Sequence, residues 1–527
     1  MRFSAEDLLV IQGQAEAFES NWITPWYGKP AWSEEAPAIL GDTRSAILLT
    51  TPARFRVRVP ASSRPRRLLT AVRRARPEDS GVIRAAVFWQ SGNEVRELAA
   101  IELPNAADAW ATLQGVVPEE AGELVFTHLM AAPGLADKPA GHISWQEPQL
   151  LPLDPVSGTG PDVLLLTIDT LRTDALEDMP FLQELMYRGT YWNQAYVPSN
   201  WTLPSMASLF TGASPAVHGC GRGPFAEAAT GKADSRDFRG LGPLPTMAEA
   251  FRAHGYATAM FHQNPFLENW TGMQRGFERY VRTADRVAAQ SLPSLEWWAD
   301  YRGRPRFLSL HYMAPHLPNG KVEALEELFP EDFFQLDVTP ERRRSFFDLP
   351  EDARQAVRQA YREEVRHLDS ELARLIPELL EGSRDWRVLV YIDHGEEHWD
   401  AGGFEHGFSF DDSVVRVPLA YIGGEDAVPR VIEEVVPAHH GGTFLLEQLE
   451  IEFGLPLSAL GTSADAERTV ETRFPLYRSE TGGRRWDPAA RSWVDLPFTG
   501  EGSPGAAAEI DPWTAARLAE IGYAEDQ

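Results

Sequence analysis

An apolar run that ends on a carboxylate places the strongest constraint on how this chain can fold. Residues 162–168 read Asp-Val-Leu-Leu-Leu-Thr-Ile, and Asp169 follows them directly. An apolar run of this length is typical of a parallel strand that is buried on both faces, and such sheets bind ligands at the carboxyl ends of their strands. The run therefore predicts a central strand that presents Asp169 to a ligand or a catalytic site.

A hydroxyl residue opens the next informative segment. Residues 202–212 read Thr-Leu-Pro-Ser-Met-Ala-Ser-Leu-Phe-Thr-Gly, a pattern compatible with a helix that has proline in its first turn. The free N–H groups and the dipole at a helix N-terminus favour an anion, so Thr202 is a candidate nucleophile. The alternative is an ordinary helix N-cap, a position that threonine fills well. With Asp169, Thr202 predicts metal-assisted attack on an anionic ester.

Strand and helix patterns alternate after the turn-forming segment 154–161. Apolar strand patterns occur at 256–261, 307–312 and 388–394, and the longest helical pattern covers 352–380. This alternation predicts an α/β fold with a doubly wound sheet and helices on both faces. The polar segments 221–243 and 318–350 either shape a substrate pocket or are flexible insertions.

The region before residue 154 has a different periodicity. Residues 1–40 combine a weakly amphipathic helical pattern over 5–18 with an aromatic segment. Short patterns of period two over 41–153, with a Gly92-Asn93 turn, predict an antiparallel β-sandwich of jelly-roll type. The sandwich is either a carbohydrate-binding accessory domain or a structural lid that packs on an enzyme.

Composition excludes several classes of protein. The 77 acidic residues outnumber the 49 basic residues and give a formal net charge of −28, which argues against a nucleic-acid partner. The acidic pair Glu6-Asp7 stands where a signal peptide needs an apolar core, and no apolar run reaches the ~18 residues of a transmembrane helix. The sequence thus predicts a soluble protein without a transmembrane segment or visible signal peptide, and it favours the cytoplasm. The single Cys220 excludes an intrachain disulfide.

Further ligand-type residues follow the later strand patterns. Asp393 and His394 stand side by side at the end of an apolar run, and Gly395 permits the chain to turn there. Hard oxygen ligands with one imidazole suit Mn, Zn, Mg or Ca. His316 and His406 lie near two other strand patterns, where a histidine on its own is only weak evidence of function.

Taken in order, these segments resemble the sulfatase family within the alkaline phosphatase superfamily. The resemblance runs from residue 161 to the C-terminus and implies a catalytic domain over 161–527 with the alkaline-phosphatase-like sheet. The segments that carry it are 162–172, 202–212, 215–219, 264–267, 311–316, 393–397, 404–407, 416–419 and the tail 521–523.

The resemblance implies a set of site residues and a reaction. It implies one divalent ion, Mn, Zn, Ca or Mg, held by Asp169, Asp393 and His394, with Thr202 touching the same ion as the nucleophile. His316 and His406 match positions that contact the transferred group or the leaving oxygen. The implied substrate is an anionic ester, linked to a glycan or a lipid. The implied reaction is hydrolysis through a covalent threonine ester.

Departures from the family pattern at positions 202 and 206 change the expected chemistry. Many sulfatases have at position 202 a cysteine or serine that is oxidised to formylglycine, followed by an arginine at the spacing of Met206. Thr202 and Met206 therefore predict that no formylglycine forms. Within the superfamily, a threonine nucleophile is typical of enzymes that act on phosphate mono- or diesters. The sequence thus favours phosphoester chemistry on a sulfatase scaffold.

Other departures bear on the number of metals. Thr170 stands where many family members have a second aspartate ligand, and Ala314 stands where an aspartate often precedes Pro-His. Both changes favour a single metal. Phe408 replaces a frequent histidine, which removes another hydrogen-bond donor for the substrate.

Two alternative functions remain open from the sequence. One is a transferase that passes a phospho-group to a glycan or lipid hydroxyl, although the usual membrane anchor is not seen. The other is a catalytically weakened homologue that binds a sulfated or phosphorylated glycan. Individual residues are also open: His311 belongs to the core or lies beside a ligand, and Arg172 and Asn200 approach the anion or serve in ion pairs and caps. His439-His440 is interpreted as a solvated pair.

Overall fold

The computed structural model of this chain describes most of two regions that differ in strand arrangement. The described residues are 8–12, 15–22, 39–50, 53–74, 81–104, 110–130, 142–146, 148–153, 160–222, 238–268, 271–284, 286–317, 348–381, 383, 385–407, 410–424, 427–451, 484–487 and 492–495. Predictions about the aromatic segment 23–38, Phe408, the tail 521–523 and most of segments 221–243 and 318–350 lie outside these residues.

Antiparallel strands form the first region. They are β1 (Leu8–Gln12), β2 (Ala15–Trp22), β3 (Ile39–Thr50), β4 (Ala53–Val59), β5 (Arg66–Arg74), β6 (Ile83–Ser91), β7 (Glu94–Leu103), β8 (Ala111–Val117), β9 (Gly122–Met130), β10 (His142–Gln146) and β11 (Gln149–Pro152). One sheet has the order β1-β4-β9-β6-β7, and a second contains β11-β5-β10-β3 with β2 beside β3 and β8 beside β5.

The two sheets share an aromatic core. Phe55 on β4 and Phe126 on β9 stack with their ring centroids 4.5 Å apart. Trp145 on β10, in the other sheet, meets Phe126 edge-on at 5.2 Å. Strands β6 and β7 are joined through Gly92, whose φ of 57° requires the freedom of glycine. The predicted antiparallel sandwich is thereby confirmed.

The predicted N-terminal helix over residues 5–18 is wrong, because this segment contributes β1 and β2. β1 pairs antiparallel with β4, and β2 pairs antiparallel with β3. The helical periodicity of the segment is weak, and neighbouring strands offer hydrogen-bond partners along its backbone. Tertiary pairing of this kind overrides a weak local propensity.

The second region supplies the strands of the central sheet and the helices. Its strands are β12 (Asp162–Ile168), β13 (Thr190–Tyr196), β14 (Gly221–Arg222), β15 (Phe238–Arg239), β16 (Ala257–His262), β17 (Arg279–Thr283), β18 (Arg306–Tyr312), β19 (Trp386–Ile392), β20 (Glu397–His398), β21 (Phe404–Glu405), β22 (Arg416–Ile422), β23 (Arg430–Ile432), β24 (Val436–Pro437), β25 (Arg484–Asp487) and β26 (Ser492–Asp495). Its α-helices are α1 (Pro180–Tyr187), α2 (Thr202–Thr211), α3 (Pro215–His218), α4 (Met247–Ala253), α5 (Ser291–Asp300), α6 (Glu351–Leu380), α7 (Asp412–Val415) and α8 (His440–Gln448). Short 3-10 helices cover Thr173–Asp178, Pro265–Leu267 and Val287–Gln290.

The register of the central strands determines where the site lies. The sheet has the order β3-β17-β16-β18-β12-β19-β22-β13-β23. β12 lies between two parallel neighbours, with Ile168 opposite Tyr312 of β18 and opposite Ile392 of β19. The next residues along these strands, Asp169 and Asp393 among them, therefore leave the sheet at the same edge. This is the carboxyl edge at which the sequence predicts the site.

Helices cover both faces of this sheet, which confirms the predicted α/β class. α1, α5 and α6 pack together on one side, and α2, α4 and α8 pack together on the other. The buried face of α6 carries Val357, Val365, Leu368, Leu372 and Ile376 at helical spacing. Among the helices of the described ranges, none is both long and apolar enough to cross a membrane.

The sandwich continues into the central sheet. β3 pairs antiparallel with β17, so that Arg44 lies opposite Arg279 and Asp42 opposite Val281. The carboxylate of Asp42 lies 2.6 Å from Arg44 Nη2 and 3.2 Å from Arg279 Nη2. The two regions therefore share one hydrogen-bonded sheet with an ion-paired seam. The predicted boundaries at 41–153 and 161–527 stay predictions.

Asp42→Ala is expected to destabilise the protein by about 3–5 kcal/mol, because it leaves two guanidinium groups facing each other without their buried counter-ion. Asp42 is only 5% exposed and Arg44 only 6%. The measurement is thermal unfolding of the purified protein at neutral pH. Glu97→Ala, which breaks the half-exposed sandwich pair of Glu97 with Arg84, is the matched control and should cost no more than about 1 kcal/mol.

The cost of Asp42→Ala should also depend on pH. Burial acts to raise the pKa of Asp42, but the charges of Arg279 and Arg44 outweigh it and hold the pKa below its usual range. Such a carboxylate stabilises the fold above its unfolded-state pKa of about 3.9 and loses that contribution as the pH falls through the folded-state value. A difference between wild type and variant that grows on acidification would contradict this assignment.

Candidate active site

Three ligand-type side chains converge at the carboxyl edge of the central sheet. Asp169 follows β12, and Asp393 and His394 follow β19. One ligand atom from each of them lies within 4.8 Å of the others, and all three residues are fully buried. A side chain at Gly395 would overlap the carbonyl oxygen of Ser413, so glycine is needed where the chain turns away from the sheet. The structure thus brings together the residues that the sequence predicts as metal ligands.

Thr202 projects into the same group from the first residue of α2. Its hydroxyl donates to Asp169 Oδ2 over 3.3 Å, and its Oγ1 lies 3.3 Å from His394 Nε2. Trp201, not Thr202, occupies the N-cap position of this helix, and Thr202 is its first helical residue. Helix capping therefore does not account for Thr202. The hydroxyl lies beside the candidate metal ligands, although its role as nucleophile stays a prediction.

The donor set fits a divalent cation. Asp169 Oδ1 and Asp393 Oδ2 are buried and have no hydrogen-bond partner in the described part of the chain. His394 donates through Nδ1 to the carbonyl oxygen of Gly395 over 3.0 Å, which leaves a lone pair on Nε2. Nε2 lies 3.5 Å from Asp169 Oδ1 and 3.7 Å from Asp393 Oδ2. Buried carboxylate oxygens without partners are costly, and a cation among them would satisfy both.

The pKa values of the two buried carboxyl groups are shifted in opposite directions. Burial acts to raise the pKa of Asp169, but the charge of His316, a hydrogen bond from His311 and the charge of His394 lower it below its usual range. Burial raises the pKa of Asp393 far above its usual range, and the negative charge of Asp169 raises it further. Two carboxylates in one buried site resist joint ionisation, and a divalent cation supplies the charge that lets both ionise.

Two further histidines complete the cluster. The His406 ring lies 4.4 Å from the His394 ring and 4.9 Å from the His316 ring, centroid to centroid. His406 Nδ1 lies 3.2 Å from Glu396 Oε1. Because a carboxylate only accepts, Nδ1 donates and Nε2 is the nitrogen left for other contacts. Both predicted histidines thus lie beside the candidate ligands, while their catalytic roles stay predictions.

Comparison with known proteins identifies the family. The sulfatase family model matches residues 161–450 of the 527-residue chain. This chain belongs to the sulfatase family. The search of curated proteins returned no match.

Solved structures similar to this sulfatase-family chain include two phosphonate monoester hydrolases and a 2-O GAG sulfatase. The hydrolase from Silicibacter pomeroyi is 19% identical, with 57% of this chain and 75% of that chain covered and a TM-score of 0.43. The hydrolase of Agrobacterium radiobacter is 17% identical, with 57% and 77% covered and a TM-score of 0.41. The GAG sulfatase is 17% identical, with 58% and 73% covered and a TM-score of 0.44.

Two site residues of this sulfatase-family chain are missed by the sequence analysis. Glu396 holds His406, and Asn264 donates through Nδ2 to Asp169 Oδ2 over 2.7 Å and to Thr202 Oγ1 over 3.2 Å. Both lie in segments that carry the family resemblance. A carboxylate in an acidic run and an uncharged amide before a proline give no further sign of function in the sequence.

The residues with open roles now have definite surroundings. His311 is fully buried, with Nδ1 2.8 Å from Thr167 Oγ1 and Nε2 3.6 Å from Asp169 Oδ2, so it lies beside a candidate ligand. Arg172 serves in ion pairs: its guanidinium lies 2.8 Å from Asp174 and 2.7 Å from Asp400. Met206, at the position of the family arginine, is fully buried in the apolar core.

The interpretation of His439-His440 as a solvated pair is wrong for His439. This residue is only 5% exposed, because it precedes α8, which packs on α2, β19 and β22. Burial lowers the pKa of His439 far below its usual range, so the ring stays neutral at physiological pH. His440 is half-buried.

Proposed function

We propose that this chain is a metal-dependent ester hydrolase that acts on sulfate or phosphate esters, with phosphoesters favoured, and that Thr202 is its nucleophile. One observation carries the proposal: Thr202 Oγ1 lies 3.3 Å from both Asp169 Oδ2 and His394 Nε2, within a buried set of metal-ligand atoms. A hydroxyl in that position would be activated by the same ion that binds the ester.

Each residue of the site has a definite task in this proposal. Asp169, Asp393 and His394 would hold one divalent ion, which supplies positive charge to the ester oxygens and lowers the pKa of the hydroxyl. Thr202 Oγ1 releases its proton to solvent and forms a bond to the phosphorus as the bond to the leaving oxygen breaks, and His406 or His316, in its imidazolium form, donates a proton to that oxygen. Water then attacks the phosphorus and gives a proton back to the histidine, and the bond to Thr202 Oγ1 breaks as that oxygen takes up a proton from solvent, which restores the hydroxyl.

The identity of residue 202 supports phosphoester chemistry. Formylglycine is an aldehyde, and oxidation of the secondary alcohol of threonine would give a ketone instead. A threonine can act only through its hydroxyl, as a direct nucleophile that forms an ester. The proposed mechanism therefore has two steps on the sulfatase scaffold, formation of a covalent ester on the hydroxyl and its hydrolysis, as in serine hydrolases.

The test is a panel of aryl esters with defined metals. The protein is first freed of metal with a chelator and then supplied with Mn²⁺, Zn²⁺, Mg²⁺ or Ca²⁺. Each sample is assayed with an aryl phosphate, an aryl phosphodiester and an aryl sulfate. We expect turnover of a phosphoester with about one metal ion per chain, as in a single-metal site. Products that carry the phospho-group on an added alcohol, in place of phosphate released to water, would indicate a transferase. A protein that binds no metal and turns over none of the esters would instead be a glycan-binding homologue, and this result would overturn the proposal.

A further inference from the structure

Asn264 lies between the two groups on which the proposed reaction depends. The residue follows β16, is 1% exposed and precedes the 3-10 helix Pro265–Leu267. Its Nδ2 donates to Asp169 Oδ2 over 2.7 Å and to Thr202 Oγ1 over 3.2 Å. One amide group thus contacts a candidate metal ligand and the candidate nucleophile.

The orientation of this amide is fixed by the backbone. Asn264 Oδ1 accepts from the N–H of Phe266 over 2.8 Å, and the Asn264 carbonyl oxygen lies 3.0 Å from His262 Nδ1. Turning the amide over would place its NH₂ group against the Phe266 N–H. The Nδ2 atom must therefore face the site, and its two hydrogens match two acceptors.

This arrangement orders the hydrogen bonds of the Thr202 hydroxyl. Because Nδ2 donates to Oγ1, one lone pair of Oγ1 is occupied and the hydroxyl proton points away from Asn264, toward Asp169 Oδ2 and His394 Nε2, each 3.3 Å from Oγ1. Asp169 Oδ2 accepts from Asn264 over 2.7 Å and lies 3.3 Å from Thr202 Oγ1. The other oxygen, Oδ1, is the one left without a hydrogen-bond partner within the described residues. Asn264 thereby selects which carboxylate oxygen faces the candidate cation.

We infer that Asn264 is a positioning residue, which sets the direction of the Thr202 hydroxyl and the free oxygen of Asp169 through its amide N–H groups. This inference rests on the proposed role of Thr202 as the nucleophile. A neutral donor suits the task, because it orients both oxygen acceptors without adding a charge that competes with the metal.

The alternative is that Asn264 only caps the following 3-10 helix, and substitutions distinguish the two roles. Asn264→Asp keeps the oxygen that accepts from Phe266, so a capping role predicts near-normal activity. A positioning role predicts the opposite, because the second carboxylate oxygen faces Asp169 and Thr202 where two N–H donors stood. Asn264→Ala removes both functions.

The experiment measures kcat with bis(4-nitrophenyl) phosphate under saturating Mn²⁺, and Mn²⁺ binding by calorimetry. We expect Asn264→Ala to lower kcat by about 10–100-fold, the usual cost of losing a group that orients a metal ligand. Asn264→Asp should lower kcat further while it retains Mn²⁺ binding. Asn193→Ala removes a half-buried asparagine on β13 that donates to Glu433 and should leave both quantities unchanged.

Each outcome is decisive. Wild-type kcat in Asn264→Asp overturns the inference in favour of helix capping, and loss of Mn²⁺ binding in both variants overturns it in favour of a purely structural role. Measuring Thr202→Val in the same assay distinguishes failure of the inference about Asn264 from failure of the proposed function. If Thr202→Val is inactive and Asn264→Asp is fully active, only the inference fails. If Thr202→Val is fully active, the assignment of Thr202 as the nucleophile is wrong, and the inference about Asn264 is overturned with it.

Discussion

Thr202→Val should lower kcat by about 10³-fold or more, because it removes the hydroxyl that forms the covalent ester and keeps the volume of the side chain. Thr202 is fully buried at the start of α2, so valine occupies the same space with a methyl group in place of Oγ1. Thr202→Ser keeps the hydroxyl without the methyl group and should retain measurable turnover. The measurements are kcat and KM with an aryl phosphodiester.

A second threonine in the same helix provides the matched control. Thr211 is also fully buried, and its hydroxyl donates to the Ala207 carbonyl oxygen over 2.7 Å. Thr211→Val therefore removes a buried hydroxyl at the far end of α2. It should cost about 1 kcal/mol of stability and leave kcat unchanged.

Intact-mass measurement adds an independent readout. Wild-type protein quenched with acid during turnover of a slow phosphoester should show an added mass on Thr202. The added mass is one phosphoryl group for a monoester substrate, and a phosphoryl group that keeps its second ester group for a diester substrate. Thr202→Val should carry none. Full activity of Thr202→Val, or the added mass on another residue, would contradict the assignment of the nucleophile.

The central sheet and its site edge could be predicted because the signals there are local. The uninterrupted apolar run of β12 and its exit on Asp169 need no tertiary information, and the same holds for β19 and Asp393. The start of α4 is local too, because the side chain of Thr246 accepts from the Glu249 N–H and the side chain of Glu249 accepts from the Thr246 N–H within one helical turn. The structure of such segments is determined by residues close to them in the sequence.

The failures have a common cause, which is dependence on distant partners. The segment that forms β1 and β2 depends on β4 and β3 for its backbone hydrogen bonds. His439 is buried because it leads into α8, which packs on α2, β19 and β22, and its own sequence does not reveal this packing. Asn264 acquires its inferred positioning role only where β16 ends beside Asp169 and Thr202, residues that lie 95 and 62 positions away in the chain.

Asp393→Asn should abolish stoichiometric metal binding, because it removes one of only two carboxylates in the candidate donor set. The amide retains an oxygen but carries no charge to offset the desolvation of a divalent ion. We expect wild-type protein to bind Mn²⁺ or Zn²⁺ at about one ion per chain and the variant to bind none at the same free concentration. Elemental analysis after gel filtration measures this.

The same variant should leave the chelated protein as stable as wild type, or more stable. Asp393 is fully buried beside Asp169, and the charge of each opposes ionisation of the other. Because folding raises the pKa of Asp393, its carboxyl lowers the stability of the metal-free fold at neutral pH, and an amide of the same size removes that cost. In thermal unfolding with a chelator, the variant should therefore melt at the same temperature as wild type or above it.

Addition of metal should reverse this order. A ligand at 100 times its Kd stabilises the protein that binds it by about 2.7 kcal/mol, so wild type should gain a higher Tm with Mn²⁺ and Asp393→Asn should not. Asp352→Asn, an exposed substitution in the first turn of α6, should follow wild type in both conditions. An Asp393→Asn protein that is destabilised equally with and without metal would show that Asp393 is a structural carboxylate. Only a ligand carboxylate combines a neutral or favourable change in the chelated protein with the loss of metal-dependent stabilisation.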